Sequence, residues 1–425
     1  MAGADARPCV LVLGTCDTKL SELLYVRSHV LQHGVGVKLM DVGRNPVLHR
    51  DLDYPSAEVL AHLATRPELD LMERGQFIGT MISAASTLTA SLYSQHVIAG
   101  AICIGGSGGT SLGASVMRSA LPIGFPKLIV STVASGNVGN FVGETDITMM
   151  YSVVDIAGQN SILNPILENA AGMITGAAKA YYDRLERNHK ESPDVEKRKK
   201  SVAITMFGVT TPAADAARAH LERNGYEVFV FHATGVGGRA MEYLISQRRI
   251  DAVLDLTTTE LADELIGGIM KGGPDRLTAA GRVGIPQVIS LGALDIVNFG
   301  PRASVPTQFA NRHLYEHNPD ITLMRTSVDE CRTLGTQVAA KLRTEVKKQD
   351  LTRVFIPLGG ISMLSIENGP YRDESADKAL FDAVVQGLDG SGIAVVKDQR
   401  AINDDGFSTE MAKVLIQFME KDSSM

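Results

Sequence analysis

Apolar residues in this chain fall in short dense runs. Cys9–Leu13, Val37–Val42, Ala101–Ile104 and Pro126–Thr132 are rich in β-branched residues and bounded by glycine or polar residues, so each predicts a buried strand. Between them the apolar spacing changes to three and four. Leu20, Leu23, Leu24 and Val30 predict a helix from Leu20 to Gln32, ended by Gly34. Residues 43–97 form an excursion before the third strand. It holds a short helical pattern from Ser56 to Leu63 and a longer one from about Leu69 to Tyr93. The longer pattern is rich in Ala, Ser and Thr over Ser83–Ala90, which admits a dimer contact, a lid or plain packing. Met149–Ile156 predicts a fifth strand. Asn160–Leu185 predicts a long helix with Ile162, Ile166, Ala170, Met173 and Ile174 on one face. Strands alternating with helices predict the α/β class with a parallel, doubly wound sheet.

The second half repeats the first. Ser201–Gly208 parallels Cys9–Gly14, and Glu227–Phe231 parallels Val37–Asp41. Ala252–Thr259 stands in for the Ala101 strand and its loop, and Gly284–Ser290 matches Gly124–Val130. Val354–Pro357 and Ile393–Val396 add strands, while Ala376–Leu388 and Ser408–Glu420 add helices. The charged run Arg187–Lys200, with Pro193 inside it, reads as a linker. The expected organisation is two similar doubly wound Rossmann-like domains, residues 1–190 and 201–425, with an interdomain cleft where the carboxyl ends of their strands face each other.

Composition narrows the partners. A net charge of -7 over 425 residues offers no strongly basic face, which argues against nucleic acid. No apolar run is long enough to span a bilayer, and the first residues lack a signal-peptide layout. Cys9, Cys103 and Cys331 sit in strand or helix patterns, as expected of a reduced, cytoplasmic protein.

Candidate chemistry collects at the strand ends. After Ile104 the chain reads Gly105-Gly106-Ser107-Gly108-Gly109-Thr110-Ser111 before the helical pattern from Ala114. Strand, glycine loop and helix start form an arrangement that holds phosphate or another anion on backbone N–H groups. The loop lacks the lysine of a P-loop and the third glycine of the dinucleotide fingerprint. Nearby strand ends carry Gly14 and Thr15 in one loop, then Thr132, Ser135 and Gly136 in another. Lys19 is the only cation near the first-half loops. It suits a phosphate, and Asp17 suits Mg²⁺ or a ribose hydroxyl; the alternative is a first-turn helix acid beside a solvated lysine. Cys16 shows no adjacent base that would make it a nucleophile. A second glycine-rich turn, His232 to Glu242, carries His232, Thr234, Gly237, Gly238, Arg239 and Glu242. It suits a substrate carboxylate or phosphate on Arg239, with an Arg239–Glu242 pair as the structural alternative. His313 and His317 have helix-pair spacing without an acidic partner, so no metal site is expected.

Six blocks in order carry a resemblance: Gly14–Lys19, Gly105–Ser111, Ser131–Gly136, Thr205–Pro212, Phe231–Glu242 and Leu291–Pro301. Together they resemble the family formed by the ATP-binding domain of the tomato mosaic virus resistance protein and its stand-alone bacterial and fungal relatives, over nearly the whole chain. The resemblance implies ATP as the nucleotide, two Rossmann-like subdomains and self-association as a homodimer or higher homo-oligomer. It does not carry over the antiviral role, because the plant protein continues into a further domain. Cys16 stands where the resembling loop has a small alanine-type residue. The resulting expectation is a cytoplasmic ATP-binding protein, an enzyme acting on a small acidic metabolite, with a non-catalytic ATP-binding regulatory or protein-interaction module as the alternative.

Overall fold

The computed structural model describes residues 8–63, 72–191 and 198–423. The chain divides into two compact units, Met1–Glu196 and Lys197–Met425. The start of the helical pattern at Leu69 and part of the charged run lie outside the described residues.

The first unit runs β1 (Cys9–Gly14), α1 (Cys16–Gln32), β2 (Gly36–Asp41), α2 (Ser56–Leu60), α3 (Arg74–Ser94), β3 (Gly100–Gly105), α4 (Ser107–Ala120), β4 (Lys127–Ser131), α5 (Gly139–Val142), β5 (Thr148–Tyr151) and α6 (Leu163–Glu191). Its five strands are parallel in the order β2-β1-β3-β4-β5. Both faces are buried. Val10, Val12, Ile102 and Ile104 pack under α1 and α6, while Leu11, Leu13, Ala101 and Cys103 pack under α3 and α4. Period-two alternation therefore has no polar side, as expected of a sheet covered by helices on both faces. The order reverses between β1 and β3, and there the connections leave toward opposite faces and open a crevice.

The second unit runs β6 (Ser201–Met206), α7 (Thr211–Arg223), β7 (Glu227–His232), α8 (Val236–Ser246), β8 (Ala252–Thr257), α9 (Glu260–Ile266), α10 (Ala279–Val283), β9 (Gln287–Gly292), β10 (Ile296–Phe299), β11 (Leu314–Asn318), β12 (Ile321–Arg325), α11 (Val328–Glu345), β13 (Thr352–Pro357), α12 (Glu374–Leu388), β14 (Ala394–Asp398) and α13 (Phe407–Ser423). Its main sheet is parallel in the order β14-β13-β9-β8-β6-β7. Counted from β6, this is the first unit's order with a sixth strand added, so the duplication read from the sequence is a duplication of topology. Among the described residues, no helix is long and apolar enough to cross a membrane.

Four local expectations change. The Gly14–Lys19 loop is helical from Cys16, with a kink at Lys19. The glycine stretch at Gly105 is already helix from Ser107, and the Gly235 turn is helix from Val236. Glycines that read as loop are thus first-turn helix residues, where missing side chains admit a close neighbour. The small antiparallel sheet β10-β12-β11 was not foreseen. It puts His317 in a strand with His313 just before it, which removes the helical spacing of that pair. Finally, α6 buries Leu163, Leu167, Ala170, Ala171, Ile174 and Ala178. Ile162 and Met173, expected on the core face, stand 52% and 49% exposed.

Candidate functional site

The crevice at the first unit's reversal holds a cavity of about 480 Å³. Its floor is the start of α4, residues Gly106, Ser107, Gly108 and Gly109. Thr110 N–H donates to the Gly106 carbonyl and begins the helical ladder. Among the described residues nothing accepts from the amides of Ser107, Gly108 and Gly109. Three orphan donors at the positive end of a helix make a ready anion seat. Thr15, Asp17, Thr18 and Lys19 form one wall, Arg44 another, and Arg74, Phe77 and Ile78 of α3 the third. The charged lining is therefore three cations against one carboxylate.

The glycines separate into two kinds. A Cβ on Gly105 would lie 2.9 Å from Gly109 Cα, so packing demands that glycine. A Cβ on Gly106 would meet nothing closer than Thr132 Oγ1 at 3.7 Å, and one on Gly108 nothing closer than Arg74 Nη2 at 3.5 Å. Packing leaves room for side chains there, and that room opens on the cavity.

Other loop residues hold the walls. Asp41 is fully buried at the end of β2 and accepts from the amides of Cys16 at 2.9 Å and Gly43 at 2.8 Å. Burial holds its carboxyl above the usual carboxylate range, against the pull of those N–H groups. Asp17 accepts from the Asn45 amide and side chain, tying the start of α1 to the loop after β2. Lys19 Nζ donates to the Ile156 carbonyl at 2.5 Å. Cys16 is buried, and burial followed by the charge of Asp41 pushes its thiol far up, so it is a poor nucleophile.

The second glycine-rich helix start is built differently. The amides of Gly235 and Gly238 donate to Glu260 Oε1 at 2.6 and 3.0 Å. A Cβ on Gly237 would lie 2.0 Å from the His232 carbonyl oxygen, and one on Gly238 2.0 Å from Glu260 Oε2. Both glycines are required by packing, and an internal carboxylate already sits on the helix end. Glu260 is also bound by Arg276 Nε at 2.6 Å. That guanidinium is wholly buried and reaches both oxygens of Asp255, at 2.5 and 2.6 Å, as well as Glu242 at 3.3 Å. Glu242 further accepts from the amides of Leu277, Thr278 and Ala279. Burial pushes its carboxyl above the usual range, against the pull of Arg276. Beside this cluster a cavity of about 350 Å³ is lined by Arg239, Glu242, Tyr243, Pro274, Arg276 and Arg282, among others. Arg239 Nη1 donates to the Lys271 carbonyl at 2.6 Å.

The structure brings Thr15, Asp17, Lys19, Gly106, Ser107, Gly108 and Gly109 together around the first cavity. Gly14 and Gly105 lie buried beneath it, and the Thr110 hydroxyl is buried against Ser131 Oγ at 2.6 Å. Thr132 borders Gly106, while Ser135 and Gly136 are in the exposed loop after β4. In the second unit Arg239 and Glu242 line the other cavity. His232 ends β7, its ring 5.6 Å from that of Phe207, and Thr234 lies in the turn before α8. Sequence reasoning missed Arg44, Arg74, Phe77 and Ile78, and Lys19 is not the only cation at the site. Arg44 stands three residues after the end of β2, in the loop at that strand end, which was the available signal. Arg74 and Phe77 come from the excursion, and only the tertiary fold brings them near. Among the described residues, no group of three or more His, Cys, Asp or Glu side chains is placed to hold a metal ion.

Comparison with known proteins agrees with this architecture. A UPF0261 protein of Clostridium tetani is 41% identical over 414 residues, 97% of this chain and 99% of that protein. A UPF0261 protein of Rhizobium meliloti is 42% identical over 376 residues, 88% of this chain and 90% of that protein. The ToMV resistance protein Tm-1(GCR237) of Solanum lycopersicum is 38% identical over 444 residues, covering 99% of this chain but 57% of the plant protein. Residues 8–183 match the N-terminal domain of the uncharacterised protein family UPF0261, and residues 199–419 match its C-terminal domain. The chain therefore belongs to the UPF0261 family, one domain of which corresponds to each unit of the fold.

Proposed function

We propose that this protein binds ATP through its first unit, with the phosphates on the start of α4 and the nucleoside toward Phe77 and Ile78. The observation that carries the reading is the trio of orphan amides on a glycine helix start facing a cavity with Lys19, Arg44 and Arg74. Glycines that packing does not require support it, because a ligand is then the remaining reason for their missing side chains. Asp17 is the group available for a ribose hydroxyl or for an Mg²⁺ ion carried in with the nucleotide. Arg74→Ala should weaken ATP roughly tenfold, the loss of one charge-assisted hydrogen bond. Unchanged affinity in equilibrium dialysis of that variant and of Gly108→Val would remove this cavity from the site.

The same reading makes the protein a cytoplasmic enzyme that acts on a small acidic metabolite, working as a homodimer or higher homo-oligomer. The cavity beside Arg239 supports the acidic substrate, since Arg239 and Arg282 line it with the apolar parts of Tyr243, Pro274 and Val283. Phosphate release from ATP, measured with the pure protein alone and with pools of small carboxylic acids, tests this part. Stimulation by one pool that Arg239→Lys removes is expected, because lysine cannot reproduce a two-point contact. Release that no pool alters would favour the non-catalytic module.

A further inference from the structure

Strands β2 and β7 hold the same place in the two main sheets. Each is an edge, beside β1 in one sheet and beside β6 in the other. Cys9 pairs with Gly36 and Ser201 with Glu227, so Leu39 corresponds to Val230 and Asp41 to His232. In a parallel strand every second residue bonds one neighbour, and the residues between turn their backbone groups the other way. On β2 the amides of Gly36 and Val42 donate to Pro8 and Gly14, which turns Leu39 and Asp41 outward. On β7 the amides of Glu227 and Ala233 donate to Lys200 and Met206, which turns Val228, Val230 and His232 outward.

The outward groups of β2 are covered by the chain itself. Residues 52–54 run beside the strand, with Met40 and Tyr54 in parallel register. The Leu39 carbonyl accepts from the amides of Asp53 and Tyr54, both at 3.0 Å, and the Asp41 amide donates to the Tyr54 carbonyl at 2.9 Å. The Asp53 carboxylate takes the Leu39 amide at 2.9 Å and Lys38 Nζ at 2.8 Å. Leu52 and Tyr54 extend the cores on the two faces of the sheet. On β7 nothing corresponds, because residues 233–235 lead straight into α8. Among the described residues no group bonds the amide or carbonyl of Val228 or Val230, or the amide of His232. Val230 stands 43% exposed. Edge strands are commonly blunted by lysine, proline, a bulge or short length. The remaining edges follow that rule: β14 carries Lys397, and β5 has four residues. Val228-Phe229-Val230-Phe231 has no charge and no proline, and β7 pairs with β6 over six residues without a register shift.

We propose that the β7 edge docks an extended segment of a partner protein, added parallel to β7 as residues 52–54 are added to β2. Main-chain bonds to Val230 and His232 supply affinity, and side chains lying beside Phe229 and Phe231 supply selectivity. Phe229 stands where β2 has Lys38, so an acid in the place of Asp53 has no cation to meet. The segment is therefore uncharged and rich in β-branched or aromatic residues. The proposal is independent of the nucleotide reading.

The full chain panned against a library of short random peptides, followed by amide exchange with the selected peptide, tests it. The expected consensus is uncharged and β-branched. The amides of Val230 and His232 should exchange fast in the free chain and slow on binding, while those of Phe229 and Phe231, which face β6, are slow throughout. Val230→Pro removes one outward amide at an edge position that tolerates proline, and should weaken the peptide about tenfold. Val230→Lys, which leaves the backbone unchanged, should also weaken it. No enriched peptide, a peptide that leaves Val230 and His232 unprotected, or an affinity indifferent to both variants would overturn the proposal. Protection of those two amides that grows with the concentration of the chain alone would give the edge to a second copy and overturn the partner segment.

Discussion

Two helices in this protein begin with glycine pairs after a parallel strand, and they do opposite things. At the start of α4 the amides are open and a Cβ on Gly108 would touch only Arg74 at 3.5 Å. At the start of α8 the amides hold Glu260, and a Cβ on Gly238 would collide with that carboxylate. The first helix end is left open, while the second is neutralised from within. The same division holds at the sheet reversals. The first unit's reversal opens on a cavity. In the second unit the corresponding strand end is closed: Thr257, Thr258, Thr259 and Glu260 are fully buried, and Arg276 donates to the Thr257 carbonyl. A glycine-rich turn therefore indicates close approach, and what approaches decides its role.

The largest expected effect is at Arg276. It is wholly buried against Asp255, Glu260 and Glu242. Arg276→Met would leave their charges uncompensated in the core, a loss of about 3–5 kcal/mol. Thermal unfolding should show the second unit melting far earlier, and an unchanged midpoint would mean the cluster contributes nothing. The next contrast is between the glycines themselves. Gly238→Ala should destabilise by about 1–3 kcal/mol through overpacking, while Gly108→Ala should be neutral or gain about 0.5 kcal/mol from reduced unfolded-state freedom. Equal effects in denaturant titrations would dissolve the distinction drawn between the two helix starts.

A smaller effect concerns pH. Burial pushes the Asp263 carboxyl up to about 7 and the Asp377 carboxyl up to about 6. In the unfolded chain both titrate near about 4. Between those values the folded state binds more protons than the unfolded one, so stability falls as pH rises from about 4 to 7. The unfolding midpoint should be higher at pH 6 than at pH 8. Asp263→Asn should flatten that difference, and a midpoint that rises toward pH 8 would contradict the assignment.

Most of the fold was legible. Runs such as Val10–Leu13 and Ala101–Ile104 are apolar on both faces, which only a covered parallel sheet explains. The repeat showed because the strand ends carry the same punctuation in both halves. The β10-β12-β11 sheet was not legible, because its strands are short and one carries the exposed run Glu316, His317 and Asn318. The site was half legible. Gly106 to Gly109 sit at a strand end and could be found by position. Arg74 and Phe77 could not, since nothing local to them signals a ligand. The role of Gly237 and Gly238 was also hidden, because Glu260 lies 22 positions beyond Gly238 and meets it only in the folded unit.

The central claim is that one of the two glycine-rich helix starts receives a nucleotide and the other does not. Calorimetric titration of the intact chain with ATP and Mg²⁺ tests it most directly. The account predicts one site per chain, weakened at least about a hundred-fold by Gly108→Val through loss of two or more charged hydrogen bonds, and left unchanged by Arg239→Lys. Two sites per chain, or one that survives Gly108→Val and is lost in Arg239→Lys, would contradict it.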